Sequence, residues 1–176
     1  GAAPNGQGDF RLRSAGSGLY YGPGHSHNCN WAVEGNVKNA QRAEVRAALR
    51  WALWAWCRQI YIADNEYTRQ RVQKILDGET PKIKTHKDLW YRMIRAFQAK
   101  GRENFRVIKV ASHQTEEQKK TETKKQRKLR EMNEGADDQA VKGAQRDQPP
   151  LQLVVERQRA RAIGLAVQKM LIRVVC

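Results

Sequence analysis

The sequence predicts an α/β fold built on a mixed sheet with helices packed against it. Short apolar runs typical of strands alternate with longer segments of helical periodicity. Two of these runs, at residues 18–21 and 30–34, flank the turn signal Gly22-Pro23-Gly24, which favours a hairpin and hence an antiparallel pair. The length of 176 residues fits one domain with room for an insertion.

The other elements follow in order along the chain. Apolar residues from Val45 to Trp56 recur at spacings of three and four, which predicts a helix from about Asn39 with one buried face. Trp51, Trp54 and Trp56 lie in this segment, so we expect them to be packed in the core rather than to stack on a ligand. Further strands are predicted at 59–63 and 105–111, and further helices at 67–76, 86–99, 133–145 and 151–175.

Pro149-Pro150 separates the last predicted helix from the rest of the chain. We therefore expect a domain at 1–148 and a helical extension at 149–176. Ile163, Val167 and Met170 form one apolar stripe on that helix, and packing against this domain or a neighbouring one is favoured over a membrane-surface role. No apolar run reaches the roughly 18–20 residues that span a bilayer, so we expect no membrane partner.

The charge favours a polyanionic partner. Thirty-three Lys and Arg residues against eighteen Asp and Glu give a net charge of +15. Nucleic acid is the favoured partner because each neutralised phosphate releases counterions; an anionic membrane, or a soluble basic protein with no such partner, is the alternative. Residues 116–130 hold seven basic and three acidic residues and almost no apolar one, which predicts a solvated helix or a disordered loop.

The cysteines indicate a reducing compartment. Cys29, Cys57 and Cys176 are odd in number and widely spaced, which favours neither a disulfide framework nor a zinc site. No signal peptide is visible at the N-terminus. We expect an intracellular protein, in nucleus or cytoplasm, that is not secreted.

Three carboxylates stand where an apolar residue would be usual. Glu44 lies at the edge of the buried helix stripe, Asp64 shares the strand face of Ile60 and Ile62, and Asp137 falls beside the small residues of a later helix. An ionised carboxylate facing a core is unfavourable unless it is paired or binds a metal. If the three converge, they predict a magnesium site for phosphodiester chemistry. For any one of them alone, a role as helix cap or dipole partner is the better explanation.

Six motifs in order across residues 15–144 resemble type 1 ribonuclease H, of the eukaryotic kind or the kind attached to retroelement reverse transcriptases. They are Gly18-Leu19-Tyr20-Tyr21-Gly22-Pro23-Gly24-His25, Asn39-Ala40-Gln41-Arg42-Ala43-Glu44, Ile60-Tyr61-Ile62-Ala63-Asp64-Asn65-Glu66-Tyr67, Lys87-Asp88-Leu89-Trp90, Val110-Ala111-Ser112-His113 and Asn133-Glu134-Gly135-Ala136-Asp137. The resemblance implies a mixed five-stranded sheet flanked by helices.

The resemblance also implies the roles of individual residues. Glu44, Asp64 and Asp137 would bind two Mg²⁺ ions, with Mn²⁺ as an alternative, and His113 would assist proton movement or product release from a loop. Nucleic-acid contacts are implied for further residues: Asn5, Asn39, Gln41 and Asn65. The partner would be an RNA–DNA hybrid, bound mainly through its backbone.

The sequence departs from the family pattern at several places. The family has a fourth catalytic Asp at the end of its first strand, and Gly1 resembles the residue that follows it. We therefore expect a largely missing first strand and feeble or absent activity in this chain. Ala40 replaces an Asn that usually contacts RNA, and Glu66 stands where a neutral residue is common. A Lys-rich insertion at 114–131 is equally well explained as a duplex clamp or as an ordinary solvated loop.

These observations lead to one predicted function and one rival. The first is endonucleolytic hydrolysis of the RNA strand of RNA–DNA hybrids, in part of a retroelement polyprotein whose other domains are further partners. The rival is a non-catalytic nucleic-acid-binding module that retains the fold. The four retained residues Glu44, Asp64, His113 and Asp137 favour the enzyme, whereas Ala40 and the missing Asp favour the rival.

Overall fold

The computed structural model describes residues 12–111 and 115–175, with four strands and six helices in that part of the chain. The strands are β1 (Gly16–Leu19), β2 (Cys29–Ala32), β3 (Gln59–Ala63) and β4 (Phe105–Lys109). The helices are α1 (Ala40–Trp54), α2 (Glu66–Leu76), α3 (Lys87–Lys100), α4 (Glu116–Lys120), α5 (Lys124–Gln145) and α6 (Leu151–Val175). The predicted mixed α/β class is confirmed.

The strands of the described residues form two separate pairs. β1 and β2 are antiparallel, with Gly16 opposite Ala32 and Leu19 opposite Cys29, which confirms the predicted hairpin. β3 and β4 are parallel and in register from Gln59–Phe105 onward, with α2 and α3 in the connection. The expected five-stranded sheet is not confirmed, because the described residues pair only as two two-stranded sheets.

Aromatic packing joins the helical layer to β3 and β4. The Trp51 ring of α1 is stacked on Tyr61 of β3 at a centroid distance of 5.1 Å, and it meets the edges of Phe97 and Phe105 at 5.8 and 5.1 Å. Trp90, Met93 and Phe97 on α3 are also fully buried. Edge-to-face and offset contacts of this kind add to simple area burial, so this cluster fixes where α1 and β3 lie relative to each other.

Helix α5 packs very closely on β1. A Cβ placed on Gly16 would lie 2.1 Å from the backbone oxygen of Ala140, and one on Gly18 would lie 2.5 Å from the Ala140 nitrogen. Gly143 on the helix would meet the Trp31 carbonyl oxygen at 2.5 Å. The glycines on both elements are therefore required for the helix and strand backbones to approach.

The polar segment 116–130 is helical. The hydroxyls of Thr115 and Thr123 each accept the backbone N–H three residues on, and Gln118 and Gln126 complete two capping boxes. The segment therefore forms α4 and the first turns of α5, which selects the solvated helix over the disordered loop.

One expectation about burial is wrong, and another is narrowed. Trp51 is buried, but Trp56 lies beyond the end of α1 and is 92% exposed, because the helix ends at Trp54 before its stripe reaches Trp56. The stripe of α6 is also uncovered, with Ile163, Val167 and Met170 all exposed within the described chain. It does not pack against the described part of its own domain, and packing against a neighbouring domain stays a prediction. Among the described helices, none combines the length and apolarity that crossing a membrane requires.

Candidate functional site

A cavity of about 100 Å³ collects side chains from four elements. Glu44 reaches it from the first turns of α1, Asp64 from the end of β3, and Asp137 together with Asn133 from the middle of α5. Tyr20 and Tyr21, just after β1, complete its rim. The three carboxylates, far apart in the sequence, thus face one cavity, which is large enough for several water molecules.

Local sequence explains two of these positions. Asn39 accepts the backbone N–H of Arg42 through Oδ1 at 2.7 Å and so begins α1, which places Glu44 in its second turn. Asn65 caps α2 in the same way by accepting the Thr68 N–H at 2.9 Å, which ends the β3 segment directly after Asp64. Both helices therefore begin at the edge of the cavity.

The carboxylates act on their surroundings. Burial raises the pKa of the Tyr61 phenol well above its usual value, and the nearby negative charges of Glu44 and Asp64 raise it further. Asn133 donates from Nδ2 to Oδ2 of Asp64 at 3.5 Å, which links α5 to the end of β3. The Tyr61 phenol therefore stays neutral beneath the site, and Asn133 orients the Asp64 carboxylate.

The exposure of the acids differs from the sequence-based expectation. Asp137 is exposed, and Glu44 and Asp64 are only partly buried. On β3 the buried residues are Tyr61 and Ala63, whereas Ile60, on the face assigned to Asp64, is 54% exposed. The acids therefore stand at the rim of an open cavity rather than inside a core, because β3 turns its other face to α1.

The donor set fits a hard divalent ion in kind. Carboxylate and amide oxygens are the ligands that Mg²⁺ takes, alongside water and phosphate. Yet within residues 12–111 and 115–172, no group of three or more His, Cys, Asp or Glu side chains is tight enough to hold an ion without other ligands. An ion at this site would consequently depend on water or substrate oxygens for part of its coordination.

The implied nucleic-acid residues have different environments. Asn39 and Asn65 use their side-chain oxygens to cap helices, so each has a structural task whether or not it also contacts a ligand. Gln41 is partly exposed in the first turn of α1, on the same edge. Asn5 and His113 lie outside the described residues.

Glu66, the acid at a position where the family commonly has a neutral residue, lies between two cations. Arg69 donates to its carboxylate at 2.7 Å and Lys109 lies at 3.4 Å. The hydrogen bonds from Arg69 and then Gln70 lower the Glu66 pKa to about 2. This acid is therefore ionised at neutral pH, but cations on both sides of it offset its charge.

Sequence reasoning did not single out Tyr61 or Asn133, although both belong to quoted motifs. Asn133 falls four residues before Asp137, a spacing that places both on one helix face, and this signal was available. Tyr61 carried no such signal, since an aromatic residue in an apolar strand is ordinarily core. Only the tertiary structure, which brings Glu44 and Asp64 close enough to raise its pKa, shows that Tyr61 lies beside both acids.

Solved structures share this fold. The solution structure of the PFV RNase H domain is 22% identical with a TM-score of 0.55, covering 81% of this chain and 89% of that one. The crystal structure of the prototype foamy virus protease–reverse transcriptase is 21% identical with a TM-score of 0.55, and the match covers 81% of this chain and 20% of that protein. No family model and no curated protein sequence matches the chain. The chain has the fold of a ribonuclease H domain.

Proposed function

We propose that this protein is an endonuclease that hydrolyses the RNA strand of RNA–DNA hybrids. The observation that carries the proposal is the meeting of Glu44, Asp64 and Asp137 at one cavity of a ribonuclease H fold. These acids come from three different elements, and no local sequence feature requires them to face the same cavity. A +15 protein with a carboxylate cavity has the charge distribution of an enzyme that binds a polyanion and a divalent cation together.

Glu44, Asp64 and Asp137 would hold the magnesium. When bound, a pair of Mg²⁺ ions supplies an activated water and stabilises the leaving oxygen of the phosphodiester. The open rim suits this ion, because Mg²⁺ usually keeps several waters and completes its coordination with substrate phosphate. Asn133 orients the Asp64 carboxylate, and the neutral Tyr61 adds no fourth negative charge to the three carboxylates.

The remaining roles belong to residues around this cavity. His113 would move a proton or release product. Asn5, Asn39, Gln41 and Asn65 would contact the hybrid backbone, Gln41 from the helix start nearest the cavity. The products would carry a 5′-phosphate and a 3′-hydroxyl.

The parent protein we propose is a retroelement polyprotein. Support comes from the neighbour that is a protease–reverse transcriptase, of which the matched part spans one fifth. In such a parent the aspartate and strand expected upstream would complete both the metal ligands and the sheet.

The test is cleavage of a hybrid of about 20 base pairs with a labelled RNA strand, by residues 1–176 and by the same chain carrying its natural upstream residues. We expect magnesium-dependent cleavage of the RNA strand by the longer chain and weak cleavage by the shorter one. Asp64→Asn should lower the rate at least about a hundredfold, since changes in residues that only support metal ligands already cost tenfold to a hundredfold.

Asp138→Asn is the matched control. It neutralises the next residue on the same helix, which is exposed and does not line the cavity. Equal losses in Asp138→Asn and Asp137→Asn, or cleavage that persists in EDTA, would refute the proposal.

The arrangement of the metal-ligating side chains supports a second candidate, a nucleic-acid-binding module without catalysis. In the described chain no compact group of metal-ligating side chains is formed. This candidate predicts tight hybrid binding with no cleavage by either chain, and no dependence of binding on magnesium. The same cleavage experiment separates the two.

A further inference from the structure

Most of the acidic residues around the α4–α5 turn are paired within the segment; Glu117 forms no ion pair with a residue that the structure describes. Glu122 is nearly buried, with 4% of its side chain exposed, and it accepts a hydrogen bond from Nε of Arg130 at 2.9 Å. Arg130 also donates to Glu134 at 2.8 Å, which fastens the turn to α5. Two further acids pair within one helical turn, Glu116 with Lys119 and Glu131 with Arg127.

Four lysines on the same segment have no such partner. Lys120, Lys124, Lys125 and Lys128 are exposed, and none forms an ion pair with any other residue that the structure describes. We call this set the outer lysine face. Lys124 and Lys128 are one helical turn apart, where like charges repel. Among the described residues, these four lysines therefore carry positive charge that no ion pair offsets.

The outer lysine face stands on a preorganised scaffold. Capping boxes at Thr115 and Thr123 begin both helices, and the Glu122–Arg130 pair ties them together. An anion that binds there does not have to order the backbone first, which lowers the entropic penalty of binding.

We propose that the outer lysine face binds the sugar–phosphate backbone of a nucleic acid as a second contact, separate from the carboxylate cavity. Lys128 and Asp137 are nine positions apart on α5. This corresponds to about 14 Å along the helix axis and half a turn around that axis. Phosphates held there lie outside the cavity, on the opposite side of α5. The choice of nucleic acid as the ligand rests on the proposed function, but the inference does not require that the protein cleaves it.

The composition of the face favours nucleic acid over a lipid surface. Thr121, Thr123 and Gln126 lie between the lysines, and all of them are polar. Binding in a membrane interface requires an apolar side to insert, and this face has none. A phosphate backbone requires only spaced cations.

The experiment compares two variants that each remove four positive charges. One replaces Lys120, Lys124, Lys125 and Lys128 by Gln. The control replaces four exposed arginines outside α4 and α5 that form no ion pair with described residues: Arg58, Arg92, Arg95 and Arg106. Fluorescence anisotropy with a 20-base-pair hybrid in EDTA, at several salt concentrations, gives the affinity and its salt dependence.

We expect the lysine variant to bind at least tenfold more weakly at low salt. The slope of log K against log salt should fall by roughly 2 to 4, since each phosphate contact contributes about 0.9. The arginine variant should change affinity by less than about threefold. Equal effects in the two variants, or no change in slope, would overturn the inference. The inference would also be overturned if the lysine variant lost binding to anionic vesicles while its binding to the hybrid stayed intact.

The outcome is independent of catalysis. Asp64→Asn, which removes a carboxylate from the cavity, should show the same dependence on the lysines as the unmodified protein. If no chain cleaves the hybrid but the lysines still govern affinity, the proposed function fails and this inference stands. If cleavage occurs and the lysine variant binds normally, the proposed function stands and this inference fails.

Discussion

The two halves of α5 belong to one continuous helix but are stabilised by different forces. In the C-terminal half, Ala140, Gly143 and Ala144 are buried against β1 and β2 at backbone contact. In the N-terminal half, residues 124–131 contain no buried side chain, and ion pairs and a capping box take the place of packing. Asn133 and Asp137 lie at the boundary between the half held by ion pairs and the half held by packing.

This difference separates positioning from binding within a single element. Backbone contact between two rigid elements leaves little freedom, so the packed half sets where Asp137 stands relative to Asp64. Exposed ion pairs contribute little each, so the charged half is weakly held but keeps its cations accessible. The four predictions below test that division, from the largest expected effect to the smallest.

Gly143→Val should be the most damaging change. Its Cβ would meet the Trp31 carbonyl oxygen at 2.5 Å, and backbone on both sides cannot yield. We expect the free energy of unfolding to fall by about 3 kcal/mol, the upper end for overpacking, as measured by urea denaturation. Gly164→Ala in α6, where nothing lies within 4 Å, is the control and should stay within about 1 kcal/mol. Similar values for the two would show that the close contact is not required.

Ser17→Ala should have a moderate effect. The buried Ser17 hydroxyl donates to the Ala43 carbonyl at 2.9 Å and ties β1 to α1, on which Glu44 is the next residue. We expect a loss of about 1–2 kcal/mol because the Ala43 oxygen loses a buried donor. Thermal unfolding measures it. An unchanged melting temperature would mean that this bond does not position α1.

Arg130→Gln should destabilise only the charged half. It leaves the nearly buried Glu122 without its cation, so the α4–α5 turn should open more often. We expect faster hydrogen exchange in residues 115–131, with global stability changed by less than about 1 kcal/mol. Arg127→Gln breaks a more exposed pair and should show less. Faster exchange throughout the C-terminal half would contradict the division.

Asp88→Asn should have the smallest effect, and it should depend on pH. Hydrogen bonds from Arg42, at 2.6 and 3.0 Å, lower the pKa of Asp88 below its usual value. A lowered carboxyl pKa stabilises the fold above the unfolded value and is lost as pH falls through the folded value. The variant should therefore lose up to about 1 kcal/mol at pH 7, since the pair is partly exposed, and almost nothing near pH 2. Equal losses at both pH values would exclude the ion pair as the cause.

Much of the fold followed from residue patterns. β3 occupies the predicted residues 59–63, and α2 and α3 begin within a residue of expectation, because their apolar periodicity is strong. Asn65 caps the start of α2, whereas α3 begins without a side-chain cap. Trp56 was misjudged because periodicity does not show where a helix ends. The apolar stripe of α6 was correctly recognised as a stripe, but a stripe does not identify what covers it.

The sequence by itself determined the α/β class, the order of the elements and the three acids, since these depend on local periodicity and on residue types in short motifs. The tertiary structure decided that the acids meet at an open cavity, that Tyr61 lies beneath them, and that the strands of the described chain pair two by two. It also decided which lysines of residues 116–130 remain without an acid. Those outcomes depend on distances between residues far apart in the chain. The backbone contacts at Gly16, Gly18 and Gly143 and the aromatic packing around Trp51 set these distances, and no local pattern encodes them.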